Sequence, residues 1–154
     1  MKHPFLTALA PDQAEALSLL ATQVEFRPDE TIFRQREGAD GFYLIEKGEI
    51  SLDYEIPGKR RVEIQRIGPG ELLGLSWLFE PYRWEVSATA ISGGTAKFLR
   101  AVDVRKQCDQ DPKLGYKLME GVARVLTERL QATRHKLLIF VERASDDDDA
   151  RQVC

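Results

Sequence analysis

The chain has 154 residues, 43% of them hydrophobic, and a formal net charge of −3. A chain of this length and composition folds as one domain with its own core. The acidic balance excludes the strong basic field that draws in nucleic acid, and no stretch approaches the roughly 20 apolar residues of a membrane span. Two cysteines, Cys108 and Cys154, indicate neither a disulfide framework nor a metal site. We therefore expect a cytoplasmic protein.

An N-terminal helical region over residues 1–23 precedes a region of strands over 24–100. Pro11 and Asp12 begin an apolar pattern of helical period. From residue 24 the period is two, with Gly or Pro at frequent breaks, and Gly48 supplies a positive φ in a hairpin. About eight short strands of this kind favour an all-β barrel or sandwich. The clearest of them are predicted at 24–26, 31–33, 42–45, 50–54, 61–66, 86–91 and 96–99.

Residues 70–90, which we call the cassette segment, contain two glycines, one arginine and four aromatic residues. Trp77, Tyr82 and Trp84 either form an aromatic wall for a flat ligand or fill the end of the barrel. Arg83 is either an anion anchor or a surface residue paired with Glu85 or Glu80. We expect Lys59, Arg60 and Arg61 to form a solvated hairpin tip, and His3 to lie in a fraying terminus.

Two helices are predicted over 101–143, a short one at 102–108 and a long one at 113–141. The long helix carries a seam at spacings of four and three, which is the a/d pattern of a coiled coil. We expect this seam to form a homodimer, although one helix packed on its own barrel is the alternative. The predicted interface residues are Leu126, Leu130, Thr133, Leu137 and Phe140. Residues 144–154, which include Asp146 to Asp149, indicate an acidic, disordered tail.

This order of elements resembles the cyclic nucleotide-binding domain of bacterial Crp/Fnr-type regulators. The resemblance implies an eight-stranded antiparallel β-roll, or jelly roll, followed by a long dimerisation helix, and extends from Phe26 to about Leu138. It also implies a small-molecule ligand, with cAMP or cGMP first among the candidates, and no other cofactor. The residues that carry it are Gly38-Ala-Asp-Gly41, Tyr43-Leu-Ile, Lys47-Gly48 with Ile50, Gly68-Pro-Gly70-Glu71, Leu73-Gly74 and Arg129-Leu-Gln-Ala-Thr133.

The chain departs from this family at three points. The resemblance implies a DNA-binding helix-turn-helix after the long helix, but we expect none in the short acidic stretch that follows Phe140. The family's Gly-Glu pair, which holds the phosphate and the ribose, is matched by Gly74 and Leu75. Its Arg beside Ser or Thr is matched by Trp84 and Glu85, and Arg83 stands one position earlier.

From the resemblance we predict a set of ligand-binding residues and no catalytic or metal-binding residue. In this prediction the turn after Gly74 offers N–H groups to an anion, Arg83 supplies the countercharge, and Thr133 contacts the ring of the ligand. The full set is Gly74, Leu75, Ser76, Arg83, Trp84, Glu85, Val86 and Thr133.

The predicted function is a stand-alone regulatory sensor that signals through its dimer helix to a downstream protein partner. No Ser/His/Asp arrangement or metal set is evident in the sequence, so we do not expect an enzyme. The alternative is a dimeric scaffold or docking protein whose degenerate pocket has lost the nucleotide. A sensor responds to nucleotide, whereas a scaffold does not.

Overall fold

The computed structural model describes residues 3–152, and their elements follow the predicted order. Two compact units are present, one ending at Met119 and the other beginning at Glu120. Short 3₁₀ helices lie at Pro4–Leu6 and Ser76–Leu78. The α-helices are α1 (Pro11–Leu20), α2 (Ala101–Gln110) and α3 (Pro112–Gln152). The strands are β1 (Thr22–Phe26), β2 (Thr31–Phe33), β3 (Gly41–Lys47), β4 (Ile50–Glu55), β5 (Arg61–Ile67), β6 (Leu72–Leu73), β7 (Ser87–Ala90) and β8 (Gly94–Arg100).

The eight strands form two four-stranded antiparallel sheets, in the orders β1-β8-β3-β6 and β2-β7-β4-β5. Apolar side chains from both sheets are buried, as the period-two pattern predicts. Leu44 and Leu99 of the first sheet and Ala88 of the second are fully buried. The β-roll fold is therefore confirmed.

The turn between β3 and β4 shows why the sequence folds locally as it does. Gly48 adopts a φ of +93°, and a Cβ built on it would lie 2.9 Å from the carbonyl oxygen of Gly93. Only glycine fits both the dihedral angle and the space. The positive φ predicted for Gly48 is confirmed, but the predicted hairpin is wrong. Strands β3 and β4 lie in different sheets and pair with other strands, so this turn passes the chain from one sheet to the other.

Strand β6 is the one strand that lies outside the predicted set. It has only two residues, Leu72 and Leu73, which pair with Leu44 and Tyr43 of β3. A run this short shows no period, so its pairing depends on β3 rather than on its own pattern.

Helix α3 extends further than the sequence predicts. It continues through Asp146–Asp149 to Gln152, where we expected a disordered tail from residue 144. Each added residue in a helix gains one hydrogen bond, and Ala144, Ala150 and Arg151 are favourable helix formers. The final two residues of the predicted tail lie outside the described residues. Among residues 3–152, no helix has both the length and the apolar content needed to cross a membrane.

His3 is buried, with 5% of its surface exposed, although the sequence suggested a fraying terminus. Its Nε2–H donates to the carbonyl oxygen of Ile45 at 2.9 Å, and its Nδ1 accepts from the N–H of Phe5 at 3.2 Å. Burial lowers the pKa of His3 from 6.5, against the opposing effects of the Ile45 carbonyl and the charge of Glu46. The contacts therefore require the neutral ring.

We expect this burial to make the protein less stable in mild acid. Below pH 6.5 the unfolded chain binds a proton that the folded His3 resists, so stability falls as the pH drops through 6.5 toward the lower folded pKa. Urea unfolding at pH 7.5, 6.5 and 5.5 measures the effect, which cannot exceed about 1.4 kcal/mol per pH unit for one proton. His3→Gln, which keeps a donor for Ile45, should lose this part of the slope. An unchanged slope in that variant would contradict the assignment.

Candidate functional site

The turn after β6 begins the candidate site. Gly74 is buried with a φ of +104°, and Leu75 and Ser76 follow it half-buried at the start of the 3₁₀ helix Ser76–Leu78. Trp77 in that helix is 2% exposed, and its Nε1–H donates to the carbonyl oxygen of Gly74 at 3.2 Å. It also stacks on Phe42 with ring centroids 4.9 Å apart. Trp77 therefore belongs to the core and is not part of an open aromatic wall.

The ring of Trp84 fills the space beside Gly74. Trp84 is 5% exposed and stacks on Phe33, with centroids 3.7 Å apart and planes 8° from parallel. A Cβ built on Gly74 would lie 2.9 Å from Cη2 of this indole. The sequence predicts a ligand against this ring, but in the structure one ring face is covered by Phe33 and the far edge lies against Gly74.

Backbone pairing fixes the segment that carries Arg83. Ala39 N–H donates to Tyr82 O at 2.7 Å, and Trp84 N–H donates to Glu37 O at 2.9 Å. Gly38 and Arg83 form an isolated antiparallel bridge between these bonds. The two segments are more than 40 residues apart in sequence, so the loop before β3 and the cassette segment hold each other in place.

Arg36 joins this pairing in an unusual backbone conformation. Its φ is +77°, its N–H donates to Trp84 O at 2.8 Å, and its carbonyl accepts from Nη1 of Arg83 at 3.0 Å. The preceding residue, Gln35, bonds through its N–H to Ser87 Oγ at 2.9 Å and through Oε1 to the N–H of Glu55 at 2.7 Å. A left-handed conformation in a non-glycine residue persists only where the surroundings determine it, and such residues cluster at functional sites.

These residues enclose a cavity of about 240 Å³. Arg83 is exposed at its edge, and Glu85 is the one carboxylate among the lining residues. Three of the predicted ligand residues, Arg83, Trp84 and Glu85, are therefore brought together. The lining residues are Gln35, Arg36, Tyr54, Pro81, Arg83, Trp84 and Glu85.

Arg105 of α2 holds the loop before Arg83. Its guanidinium lies 4.5 Å from the ring centroid of Tyr82 and 5.9 Å from that of Trp77, and it donates a hydrogen bond to the carbonyl of Trp77. Cation–π contacts of this kind stabilise by about 0.5–2 kcal/mol. Tyr82 itself has a φ of +54°. No local pattern indicates a role for Arg105, because its contacts are with residues 23 and 28 positions away in the sequence.

The remaining predicted residues lie elsewhere. Val86 is half-buried directly before β7. Thr133 belongs to the second unit, where its hydroxyl donates to the carbonyl of Arg129 at 2.9 Å, within its own helix. The role of Thr133 as a ligand contact stays a prediction.

The predicted seam of α3 is exposed in the single chain. Leu126 is 44% exposed and Phe140 is 71% exposed. Thr133, in the middle of the seam, is exposed as well. Exposed large side chains also occur next to the seam, at Leu138, Ile139 and Val141. The apolar surface of this helix is therefore broader than the two-heptad pattern predicts.

Comparison with known proteins gives a family and a set of relatives. The family model for the cyclic nucleotide-binding domain matches residues 23–111. The chain is 28% identical over 134 residues to a CRP-like cAMP-activated global transcriptional regulator of Mycobacterium tuberculosis. That match covers 86% of this chain and 58% of the regulator, so the chain spans little more than half of the relative's length.

Solved structures share the fold. The N-terminal domain of a transcriptional regulator from Streptomyces coelicolor A3(2) is 25% identical, with a TM-score of 0.69 over 85% of this chain and 92% of that one. A cyclic nucleotide-binding domain from Methylobacillus flagellatus KT gives a TM-score of 0.78 at 20% identity, over 84% of this chain and 73% of that one.

Proposed function

Because the chain belongs to the cyclic nucleotide-binding domain family, we propose that it is a regulatory sensor that binds a small anionic ligand beside Arg83. The observation that carries the proposal is the position of the Arg83 guanidinium. It lies at the edge of a cavity next to Arg36 and forms no ion pair with a carboxylate among residues 3–152. An arginine held in this way is a ready partner for a phosphate.

We assign the anion to Arg83 and Arg36 rather than to the N–H groups of Gly74, Leu75 and Ser76. The indole of Trp84 occupies the space beside Gly74, so a phosphate at that turn would have to displace a core side chain. Glu85 lines the same cavity and weakens anion binding through like-charge repulsion. Cyclic AMP and cyclic GMP are the first ligands to test.

Removing the Arg83 charge should weaken binding of cAMP or cGMP by about 10- to 100-fold, because charge-assisted hydrogen bonds contribute about 1.5–3 kcal/mol. Titration calorimetry of Arg83→Ala measures this directly. Lys106→Ala, an exposed lysine of α2, is the control for the loss of one positive charge and should bind as the unmodified protein does. Equal affinity in Arg83→Ala would contradict the assignment.

We further propose that the second unit forms a homodimer through its exposed apolar residues. Leu130→Asp places a charge in the seam, so sedimentation of this variant should show a monomer in place of the dimer. Ala132→Asp, two positions further along the same helix and off the seam, should leave the dimer intact. A monomer in the unmodified protein, or equal effects of both variants, would contradict this proposal.

A second candidate function is a docking domain that no longer binds nucleotide. The burial of Trp84 against Gly74 favours it, because the ring removes the phosphate position that the resemblance implies. A thermal-unfolding screen separates the two functions. For a sensor, nucleotide at 100 times its Kd raises the free energy of unfolding by about 2.7 kcal/mol, which raises Tm by roughly 5–10 °C. For a docking domain, nucleotide leaves Tm unchanged.

A further inference from the structure

A second cavity of about 360 Å³ adjoins the cavity beside Arg83. Arg36 lines both cavities, so the two cavities meet at this residue. Ligand pockets in proteins measure roughly 300–1,000 Å³, a range that the first cavity reaches only together with the second. The second cavity is lined by Arg36, Glu55, Ile56, Pro57, Gly58, Lys59 and Arg61.

Positive charge gathers in these two cavities, in a chain whose net charge is −3. Arg61 is paired, since its Nη2 lies 2.9 Å from Oε1 of Glu55. In the part of the chain that the structure describes, Arg36, Lys59 and Arg83 form no ion pair with a carboxylate. Among the described residues, three cationic side chains without an ion-pair partner therefore line the two adjoining cavities. Within that same part of the chain, Glu85 is the one lining carboxylate that has no ion-pair partner.

The hairpin between β4 and β5 gives the second cavity a defined shape. Lys59 N–H donates to the carbonyl of Ile56 at 2.9 Å, and Gly58 adopts a φ of +70° in the turn. Tyr54 on β4 lines the first cavity and is 44% exposed, so its aromatic side chain is available to a planar ligand group.

We propose that the ligand of this site is a nucleotide with at least two phosphate groups. One phosphate pairs with Arg83 and Arg36, another pairs with Arg36 and Lys59, and the base stacks on Tyr54. A cyclic mononucleotide has a single negative charge and satisfies one of these pairs. This inference rests on the proposed function, because it needs the anion site at Arg83. Linear nucleoside polyphosphates and cyclic dinucleotides share this chemistry.

The test is titration calorimetry of the whole chain with cAMP, ATP and cyclic di-GMP. We expect ATP or cyclic di-GMP to bind at least about 10-fold more tightly than cAMP. The one that binds more tightly shows whether the ligand is a linear nucleoside polyphosphate or a cyclic dinucleotide. Lys59→Ala should remove this advantage, so that ATP and cyclic di-GMP bind no more tightly than cAMP. Glu85→Gln should strengthen binding of all three, and Lys106→Ala should change none.

Each other outcome has a separate meaning. This inference is overturned if cAMP binds as tightly as ATP and cyclic di-GMP, or if their tighter binding persists in Lys59→Ala. In either case the proposed function still stands, provided that Arg83→Ala weakens the binding of cAMP. Failure of all three nucleotides to bind overturns the proposed function together with the inference. Circular dichroism of each variant shows that the fold is retained.

Discussion

Replacing Trp84 with alanine should lower the free energy of unfolding by about 3–5 kcal/mol, the usual cost of truncating a buried tryptophan. The ring is 5% exposed and stacks on Phe33, and aromatic pairs of this kind add about 0.5–1.5 kcal/mol beyond the area buried. Urea unfolding measures the change.

Tyr54→Ala is the control for Trp84→Ala, because Tyr54 is 44% exposed on the same cavity. Its cost should be below about 1 kcal/mol. A comparably small cost for Trp84→Ala would show that the indole is open to solvent. That result would restore the expectation from the sequence that this ring stacks on a ligand.

Gly74→Ala should destabilise the protein by about 2–6 kcal/mol. The φ of +104° strains any residue with a side chain, at about 1–3 kcal/mol, and the new Cβ would lie 2.9 Å from the indole of Trp84, which adds an overpacking cost of about 1–3 kcal/mol. Gly68→Ala, which has ordinary backbone angles and no neighbour closer than 3.9 Å, is the matched control. It should cost less than about 1 kcal/mol.

A double-mutant cycle separates the two parts of the Gly74 effect. In a Trp84→Phe background the smaller ring relieves the overpacking, so Gly74→Ala should cost about 1 kcal/mol less than it does alone. Strict additivity would show that the two residues do not touch, and that the space beside Gly74 is free for a phosphate.

The features that the sequence predicts correctly are those that depend on neighbouring residues. The helix from Pro11 and the strands of alternating pattern follow from periods of 3.6 and two, and the turn at Gly48 follows from the freedom of glycine. These signals are local, so they are present in the sequence itself.

The candidate site could be predicted only in part, because its geometry depends on distant segments. Arg83 and Glu85 were predicted from the family resemblance, but Arg36 is not a residue expected at positive φ, and its pairing with residue 84 spans 48 positions. The burial of Trp84 depends on Phe33, and that of His3 on Ile45. No pattern within one segment reports such contacts.

The most direct test of where the anion binds is a crystal structure of the protein grown with saturating cAMP. We predict that the phosphate lies within hydrogen-bond distance of the Arg83 guanidinium, with the Trp84 indole still stacked on Phe33 beside Gly74. A phosphate held by the N–H groups of Gly74, Leu75 and Ser76, with Trp84 displaced, would contradict it. The absence of ordered nucleotide would contradict it as well, and would favour the docking domain.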